Sequence, residues 1–393
     1  MCRHPRSASV GTVSTSSTPL TGHPRSDLVV VGAGIVGLAH AVDAHDRGLS
    51  VTVVERSSHA VGASVRNFGH GCVTAQTGEN LRRGRAARER WIALAERTGL
   101  WLARSGAVAV ARDAAEMAVL AELAEQRGPG EVDLLTSAQV EERVPGVDPA
   151  TTGGALLPQD IRVDPRNAVH RIAEWLAAQP GVRMVYDTAV TGVGDGVVHT
   201  ARGDLACERA VVCAGHEVDA LFPEAADAAG LHQCALQMLL VDSPRDRTFA
   251  PAVLTGTSLV RYPAFAGTES GAALRARFRQ RRPELLAAGV NLMFTQRPDG
   301  ALLIGDTHTY APTVEPFLGE DHAELLLDEA ARLLGTGPLR VRQRWQGVYA
   351  ASTATDLLVA APSPRVRAVT VTSGIGMTIA LGTAPDILDD LLA

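Results

Sequence analysis

The sequence has no excess of basic residues. Its 37 Lys and Arg residues stand against 43 Asp and Glu residues, which gives a formal net charge of −6 over 393 residues. Nucleic acids and anionic membrane surfaces usually bind strongly basic proteins, so neither is expected as a main partner. The chain also lacks any run of about 18 consecutive apolar residues, the length that a transmembrane helix needs. No membrane span is therefore expected.

Cysteine is scarce, and no two cysteines form a C-x-x-C pair. The five are Cys2, Cys72, Cys207, Cys213 and Cys234. An odd number at wide spacing is typical of reduced thiols in a reducing compartment, which indicates a cytoplasmic protein. Each is expected to act as a small buried apolar residue, and no metal site is expected. These absences favour a small-molecule enzyme.

The first residues lack both acidic side chains and the apolar run of a secretory signal. Residues 1–26 are instead rich in Ser and Thr. The composition allows a transit peptide, but the amphipathic periodicity of such peptides is absent. We expect residues 1–25 to be a disordered leader, or the product of a start codon placed too far upstream.

A nucleotide-binding pattern follows directly. The stretch "DLVVVGAGIVGLAHAVDAHDRGLSVTVVER" places a strand over residues 28–31, a Gly-x-Gly-x-x-Gly turn, an Ala-rich helix and a second strand over residues 51–54. The turn glycines are Gly32, Gly34 and Gly37, and the second strand ends on Glu55. Three glycines alone are weak evidence, but their position between a strand and a helix predicts a dinucleotide-binding βαβ unit.

Each part of this unit has a physical role. Gly32 permits the tight turn, Gly34 lets the backbone approach a pyrophosphate, and Gly37 lets the helix pack on the strand. The helix N-terminus supplies amide donors to the phosphates. Glu55 would accept hydrogen bonds from a ribose and repel a 2′-phosphate, so the ligand is expected to be NAD-like or FAD and not NADP.

A second glycine-rich loop favours FAD over NAD. It has the sequence "GASVRNFGHGCV", residues 62–73, and a flavin needs such a loop along its ribityl chain, whereas NAD does not. Ser64, Arg66 and Asn67 can donate to the cofactor or to a substrate anion. Alternatively, Arg66 and Asn67 fix the loop to its neighbours by bonds from their side chains to backbone atoms. His70 is either an acid or base near the ring system or a structural histidine.

Motifs spread along residues 26–393 carry a family resemblance. "VVVGAGIVG", "VVER", "GASVRNFG", "VVCAG" and "SGIGMT" together resemble the D-amino-acid oxidase superfamily of FAD-dependent amine oxidoreductases, which includes glycine oxidase and sarcosine oxidase. With "VRYPAF", "QRPDGALLIGDTHTY" and "RWQGVYA" added, the chain is similar to a clade of this superfamily associated with phosphonate metabolism.

The resemblance implies the fold and its division. We expect an α/β fold, with an FAD-binding Rossmann-like domain of the glutathione-reductase type and a second, antiparallel-sheet α+β domain for the substrate. The FAD-binding domain is predicted over residues 26–77, 150–215 and 340–393. The substrate domain is predicted over residues 78–149 and 216–339, with the pocket at the junction.

The resemblance also implies a cofactor site. The residues predicted to bind FAD are Gly32, Gly34, Gly37, Glu55, Arg56, Ser64, Arg66, Asn67, Gly69, Val190, Ala214, Gly215, Gly374, Gly376, Met377 and Thr378. The last four open a helix whose N-terminus can stabilise negative charge on the reduced flavin. Covalent attachment of the flavin to Cys72 is not expected, because no attachment signature is present.

Family chemistry implies oxidation of a small amine. Hydride passes to flavin N5, the imine is hydrolysed, and oxygen or a quinone takes the electrons. The anionic end of the amine needs an Arg with a Tyr or His nearby. Substrate-binding candidates are Arg261, Tyr262, His308, Tyr310, Arg344 and Tyr349, and catalytic candidates are His70, Arg261, His308 and Tyr349. Asp306 is expected to orient His308 or to cap a turn.

Several of these candidates have structural alternatives. Arg344 beside Trp345 could stack or pair at the domain junction, and Tyr262 before Pro263 could serve packing. The substrate is predicted to be an aminophosphonate such as 2-aminoethylphosphonate or its N-methyl or 1-hydroxy derivative. The alternatives are an amino acid of the glycine, sarcosine or D-amino-acid type, or a flavin-binding accessory protein without amine oxidation. A monooxygenase or NAD(P)H-dependent reductase is disfavoured, because no second Gly-x-Gly-x-x-Gly unit follows.

Overall fold

A computed structural model describes residues 24–393. The predicted leader lies outside these residues, except for Pro24 and Arg25. Within the described part, twenty strands and twelve α-helices form two large sheets and one small sheet, with their helical layers. No helix there is both long and apolar enough to cross a bilayer.

The strands are, in chain order, β1 (Ser26–Val31), β2 (Val51–Val54), β3 (His70–Gly71), β4 (Leu102–Ala103), β5 (Ala107–Ala111), β6 (Asp133–Thr136), β7 (Gly153–Leu157), β8 (Ile161–Val163), β9 (Val182–Val185), β10 (Val190–Gly194), β11 (Val197–Thr200), β12 (Gly203–Val212), β13 (His232–Val241), β14 (Ala252–Leu254), β15 (Met293–Gln296), β16 (Leu302–Gly305), β17 (Thr309–Ala311), β18 (Val341–Ala351), β19 (Leu357–Ser363) and β20 (Val366–Val371).

The α-helices are α1 (Ile35–Asp46), α2 (Gly78–Thr98), α3 (Ala114–Arg127), α4 (Ser137–Arg143), α5 (Pro165–Ala177), α6 (Pro223–Ala228), α7 (Gly256–Leu259), α8 (Pro263–Ala266), α9 (Glu269–Arg281), α10 (Pro283–Ala287), α11 (Glu320–Leu333) and α12 (Gly376–Leu392). Short 3₁₀ turns span Ala63–Val65, Gly215–Ala220 and Pro244–Asp246.

The first sheet has a parallel centre, with strand order β20, β12, β1, β2 and β9. Its strands are short runs of valine and other apolar residues, as expected where both faces are covered. Helices α1, α2, α5 and α12 cover one face, where Trp91 and Leu38 are fully buried. The β10–β11 hairpin and β19 complete the sheet at its margins. The predicted βαβ unit is β1, α1 and β2.

The second sheet is mostly antiparallel. Its order is β17, β13, β16, β15, β14, β5, β7 and β6, and β18 pairs along the length of β13. One face packs against helices α3 and α7 to α11. The other face carries Leu236, Met238 and Leu303 and packs against Phe68 of the second glycine-rich loop. This contact joins the two halves of the molecule, and the predicted α/β fold with a second antiparallel domain is confirmed.

The membership of the two sheets differs from the predicted domain boundaries at three places. Helix α2, from the segment predicted for the substrate domain, packs on α12 beside the first sheet. Strands β7 and β18, from segments predicted for the FAD-binding domain, pair in the second sheet. Strand β18 belongs to the second sheet because residues 341–351 pair with β13 from His232 to Val241. This partner lies about 110 residues away in the chain, so no local sequence pattern specifies the pairing.

Two local predictions match the structure closely. The hairpin predicted to turn at Pro298, Asp299 and Gly300 is formed by β15 and β16, paired from Met293 and Gly305 to Gln296 and Leu302. Helix α5 begins at Pro165, and the carboxylate of Asp164 accepts from the amide of Arg166 as its N-cap. An acidic cap followed by proline is a strong helix start, because it satisfies a free amide and pre-sets the backbone.

Candidate functional site

The turn between β1 and α1 has no room for side chains. A Cβ on Gly32, whose φ is +97°, would lie 2.5 Å from the carbonyl oxygen of Cys213. A Cβ on Gly37 would lie 1.9 Å from the carbonyl oxygen of Gly32. Gly34 is the N-cap of α1 and has no side chain to cap the helix. The amide of Ile35 donates to the hydroxyl oxygen of Ser64 at 2.9 Å. The other amides at the start of the helix are available to a phosphate.

Glu55 is held beside this turn by two backbone amides. Its Oε2 accepts from the amide of Ala33 at 2.9 Å, and its Oε1 accepts from the amide of Ser57 at 3.0 Å. Each carboxylate oxygen keeps a further lone pair. The predicted bonds to a ribose would use these lone pairs, and the two amides fix the direction in which the carboxylate points.

Four further residues predicted to bind FAD are Arg56, Val190, Ala214 and Gly215. Ala214 and Gly215 follow β12 directly after Cys213, whose carbonyl touches the glycine turn. The amide of Thr188 donates to the carbonyl of Glu55 at 3.0 Å, which brings the start of β10 beside the end of β2. Arg56 is exposed and pairs with Glu217 at 2.6 Å. These segments therefore meet around one turn.

The second loop is fixed largely by its own side chains. Asn67 Nδ2 donates to the carbonyls of Ala63 and Ser64 at 2.9 and 3.0 Å, and its Oδ1 accepts from the amide of Gly69 at 2.7 Å. Arg66 Nη1 donates to the carbonyl of Gln346 in β18 at 3.1 Å. These bonds follow the alternative in which Arg66 and Asn67 hold the loop. Their roles toward the cofactor stay predictions.

A cavity opens where this loop meets the start of α12. It is lined by Asn67, Phe68, His70, Cys72, Tyr262, Met293, Gly374, Ile375, Met377 and Thr378. Gly374 has a φ of +75°, and a Cβ there would lie 3.0 Å from the ring of Tyr349. Helix α12 is held in place from two sides, because Trp91 Nε1 donates to the carbonyl of Met377 and the amide of Cys72 donates to Thr378 Oγ1. The helix N-terminus therefore points at the cavity.

His70 lies at the cavity wall with an acidic partner. Its Nε2 is 2.8 Å from Oδ2 of Asp160, and the other oxygen of Asp160 accepts from the amide of Thr74 at 2.8 Å. His70 Nδ1 is buried and has no hydrogen-bond partner within the described residues. An unpaired buried nitrogen is costly unless a ligand satisfies it, so this atom is a ready partner for a bound ring system.

Cys72 completes a buried cluster with these two side chains. The ligand-type atoms of His70, Cys72 and Asp160 lie within 4.8 Å of one another. Burial, with the nearby Asp160 charge, raises the pKa of the Cys72 thiol well above its ordinary value. A thiol that keeps its proton is a poor nucleophile, so Cys72 serves here as part of the cavity wall.

Three predicted substrate-binding residues converge on the far side of Gly374. Arg261 Nη2 lies 3.1 Å from the hydroxyl oxygen of Tyr310 and 3.5 Å from that of Tyr349. Burial opposes the charge of Arg261, but Tyr349, Tyr310 and Asp306 outweigh it and keep the pKa of the guanidinium raised. Tyr310 is half-exposed, so this cationic group is reached from solvent along the tyrosine.

Asp306 and His308 lie behind Arg261 in the protein. Asp306 is 4% exposed, and its Oδ1 accepts from Asn291 Nδ2 at 3.2 Å. Its Oδ2 lies 3.7 Å from Nε2 of His308, whose Nδ1 is 2.8 Å from the carbonyl oxygen of Gly289. The expectation that Asp306 orients His308 is consistent with these positions. Burial raises the pKa of Asp306 to about 7, and burial lowers the pKa of His308 well below its ordinary value.

Arg344 is separated from this cluster. It is five residues before Tyr349 on β18, so the two side chains point to opposite faces of the strand. Arg344 pairs on the exposed side with Glu320 at the start of α11. Trp345 shares the inner face with Tyr349, donates to the carbonyl of Arg66 and lies under the guanidinium of Arg166. The structure therefore shows Arg344 in an ion pair, and substrate binding by Arg344 stays a prediction.

Tyr262 lies between the cavity and the buried residues Asn291 and Asp306. Its hydroxyl is 3.4 Å from Sδ of Met293, on the cavity wall, and 3.5 Å from Nδ2 of Asn291. Sequence reasoning named neither Asn291 nor Asp160. Their local sequences, "GVNLMF" and "LPQDIRV", resemble ordinary strand boundaries. Asn291 is the single polar residue of the first stretch, whereas Asp160 is one of three in the second, so neither pattern marks a site.

The glycine turn, the second loop and the glycine-initiated helix together define a dinucleotide-binding protein whose ligand extends to the junction of two sheets. FAD fits these residues. The start of α1 has no capping side chain of its own and leaves backbone amides for a pyrophosphate, and His70, whose buried Nδ1 has no partner within residues 24–393, lines the cavity in which the ring would lie.

The chain belongs to the family of FAD-dependent oxidoreductases. The family model described as "FAD dependent oxidoreductase" (DAO) matches residues 27–387. The protein is therefore an enzyme that uses FAD, and the predicted superfamily is confirmed. No curated protein sequence matches the chain significantly.

Solved structures show the same fold at low sequence identity. Glycine oxidase from Geobacillus kaustophilus matches with a TM-score of 0.75 and 19% identity, over 94% of this chain and 95% of that chain. L-proline dehydrogenase from P. horikoshii matches with a TM-score of 0.73 and 19% identity, over 92% of this chain and 91% of that chain. FAD-bound L-alpha-glycerophosphate oxidase from Mycoplasma pneumoniae matches with a TM-score of 0.72 and 18% identity, over 93% and 95%.

Proposed function

We propose that this flavoprotein oxidises a C–N bond in a small amine that carries an anionic group. The observation that carries the proposal is the position of Arg261, whose guanidinium meets two tyrosine hydroxyls next to the Gly374 side of the cavity. Two proteins of the same fold are named glycine oxidase and L-proline dehydrogenase. Their named substrates combine an amine with a carboxylate.

The side chains divide the work between binding and orientation. Arg261 would hold the anion by charge-assisted hydrogen bonds, which are stronger and more directional than neutral ones. Tyr349 touches both Arg261 and Gly374, so it sets the distance between the anion and the ring. When FAD is bound, it accepts the hydride of the C–H bond, and water then converts the imine to a carbonyl compound and an amine or ammonia.

The chemistry of the anion is the finer part of the proposal. A carboxylate has two oxygens, which one guanidinium matches in a bidentate pair. A phosphonate has a third oxygen, for which the hydroxyls of Tyr310 and Tyr349 are available donors. A phosphonate with two charges would be held better by a second arginine, but Arg344 lies on the opposite face of its strand. The geometry therefore supports a group with a single negative charge best, and an aminophosphonate in its monoanionic form remains a candidate.

The test is anaerobic mixing of the purified flavoprotein with a panel of compounds. The panel contains 2-aminoethylphosphonate, its N-methyl and 1-hydroxy forms, glycine, sarcosine, D-alanine and α-glycerophosphate. Flavin reduction is followed as bleaching near about 450 nm, the usual band of an oxidised flavin. Bleaching by any of the amines supports the proposal.

The pattern of bleaching decides the substrate class. Bleaching by the carboxylates alone excludes the phosphonate assignment, and bleaching by the phosphonates alone establishes it. Bleaching by α-glycerophosphate alone contradicts C–N oxidation and indicates an alcohol substrate. No bleaching of an FAD-loaded protein contradicts the proposal and favours an accessory flavin-binding role.

The proposed electron acceptor is oxygen or a quinone. The reduced protein from the same experiment is mixed with air-saturated buffer or with a soluble quinone, and the return of the oxidised flavin band is timed. Fast recovery in air with formation of hydrogen peroxide identifies an oxidase. Recovery only with the quinone identifies a dehydrogenase.

A further inference from the structure

Behind Arg261 lies a buried acid–histidine pair that has no direct salt bridge to an Arg or Lys within residues 24–393. Asp306 accepts from the neutral amide of Asn291 at 3.2 Å and faces Nε2 of His308 at 3.7 Å. Both side chains are at most 8% exposed. Arg261 is the nearest positive charge that acts on either of them. A buried carboxyl in such a place is ionised or neutral depending on small changes in its surroundings.

The hydrogen-bond partners limit where protons can reside. The carbonyl oxygen of Gly289 only accepts, so His308 Nδ1, at 2.8 Å, carries a proton. In the neutral histidine Nε2 then bears a lone pair, and this lone pair faces Oδ2 of Asp306. The two atoms lie 3.7 Å apart, too far for a hydrogen bond, but a proton taken up by either atom removes the repulsion between the two facing lone pairs. Asp306 and His308 therefore form one exchangeable proton site, called here the 306–308 pair.

The protonation of this pair decides the net charge of the anion site. When Asp306 is ionised, its charge offsets that of Arg261. When the pair holds a proton, Arg261 presents a full positive charge toward the two tyrosines. Charges a few ångströms apart in a buried site interact strongly, because little water screens them.

We propose that the 306–308 pair is a proton-linked partner of Arg261, which takes up a proton when an anion binds at Arg261 and thereby makes anion affinity depend on pH. This inference rests on the anion site of the proposed function. It makes Asp306 a specificity-determining residue: in its ionised state it disfavours anions at Arg261, and in its neutral state it admits one negative charge.

Four titratable groups around the pair have pKa values that are raised, away from neutral pH. Arg261 and Tyr262 lie in the segment after α7. Burial lowers the pKa of Arg261, but Tyr349, Tyr310 and Asp306 raise it by more, so the guanidinium stays protonated. Burial raises the pKa of Tyr262 well above its ordinary value. From β13, burial raises the pKa of Cys234 to about 11, and on β18 burial likewise raises the pKa of Tyr349. Two further neighbours are Tyr310, whose ring centroid lies 6.3 Å from that of His308, and His232, whose ring centroid lies 5.8 Å from that of Tyr310. The D306N variant described below isolates the contribution of Asp306 from theirs.

The sign of the effect follows from linkage. Burial raises the pKa of Asp306 to about 7, with Arg261 opposing, so the carboxyl is neutral below this pH and ionised above it. An anion binds best to the neutral form, and its affinity falls as the pH rises. Reciprocally, the bound anion raises the proton affinity of Asp306 by the same factor, so binding near pH 8 draws a proton into the site.

The experiment measures acetate binding to the FAD-loaded protein. Acetate cannot be oxidised at a C–N bond and stays a monoanion from pH 6 to 9, so its own titration does not interfere. Its dissociation constant is taken from the change in the visible spectrum of the bound flavin, at four pH values. Above the pKa of the pair we expect the dissociation constant to rise by up to about tenfold per pH unit, the limit for one linked proton.

Proton uptake is measured independently of any variant. Calorimetric titration with acetate at pH 8, in two buffers of different ionisation enthalpy, reports the number of protons taken up, and this number is expected to approach one. A value of zero, with a dissociation constant that is flat from pH 6 to 9, overturns the inference. Absence of acetate binding at every pH overturns the anion site at Arg261 and the inference with it.

A pair of variants identifies the titrating group. D306N removes the ionisable carboxyl and is expected to bind acetate with a dissociation constant that no longer depends on pH. The matched control is D299N, an exposed aspartate at the turn of the same β15–β16 hairpin, which keeps the wild-type dependence. A D306N protein that retains the dependence overturns the assignment. If no amine reduces the flavin, the proposed function fails, while the acetate titration still gives its answer.

Discussion

Arg261 is the side chain on which substrate affinity depends most. R261Q removes the charge and leaves a shorter, neutral hydrogen-bonding group. Hydrogen bonds to charged groups contribute about 1.5 to 3 kcal/mol each, so we expect the dissociation constant of the reducing substrate to rise by roughly 10- to 100-fold. The measurement is the concentration dependence of anaerobic flavin reduction.

The control for this substitution is R344Q. Arg344 pairs with Glu320 on the exposed side of β18, and exposed pairs contribute little, so its substrate affinity is expected to stay within about twofold of wild type. An R261Q protein with unchanged affinity, or an R344Q protein with the larger loss, would place the anion elsewhere.

Cys72 is expected to leave the flavin unattached. The thiol lines the cavity, but burial raises its pKa well above the ordinary value, so the nucleophilic thiolate is not populated near neutral pH. Precipitation of the holoprotein with acid should release all the yellow colour into the supernatant. Colour that stays with the pellet of the wild type, and leaves it in C72S, would contradict this prediction.

The helix–strand contact of the βαβ unit is sensitive to a single methyl group. In G37A the new Cβ would meet the carbonyl oxygen of Gly32 at 1.9 Å, so α1 must move away from β1. Overpacking of this kind costs about 1 to 3 kcal/mol, and it also displaces the amides that face the pyrophosphate. We expect a lower midpoint of urea unfolding together with weaker FAD retention on gel filtration.

Gly337 provides the matched comparison at the level of elements. It lies in the loop before β18, and a Cβ there would meet no atom within 4 Å. G337A is therefore expected to unfold at the wild-type midpoint and to retain FAD. Equal behaviour of the two variants would show that the contact between α1 and β1 is not tight.

For the whole molecule, we expect FAD to stabilise the fold as a ligand bound between the two large sheets. A ligand that binds only the folded state stabilises it by about 2.7 kcal/mol at a free concentration of 100 times its dissociation constant. Removal of FAD should therefore lower the unfolding midpoint, and added FAD should restore it. FMN lacks the adenosine half of FAD, which the glycine turn and Glu55 are predicted to bind. Added FMN should therefore restore little of the unfolding midpoint. Full rescue by FMN would contradict the assigned orientation.

Local patterns in the sequence were enough to predict the elements whose cause is local. The βαβ unit follows from glycine spacing between a strand and a helix, the start of α5 from Asp164 before Pro165, and the β15–β16 hairpin from its Pro-Asp-Gly turn. In each case the atoms that force the conformation lie within a few residues of one another, so composition and spacing already contain the cause.

The candidate site was predictable only in part. Arg261, Tyr310 and Tyr349 were named from residue chemistry and from a family resemblance, but their convergence depends on β13 pairing with both β17 and β18. The position of Arg344 depends on the same pairing, because strand register decides which face each side chain occupies. The pairing of His70 with Asp160 spans 90 residues, and the opposition of Asp306 and His308 arises only when β16 and the following loop are folded.

The composition, the glycine turn and the motif set therefore determined the class of protein and its cofactor, because nucleotide binding uses backbone geometry that short segments encode. The tertiary structure alone decided which charges share a pocket. Electrostatic coupling depends on distance through space and on burial, and both are set by contacts between strands far apart in the chain.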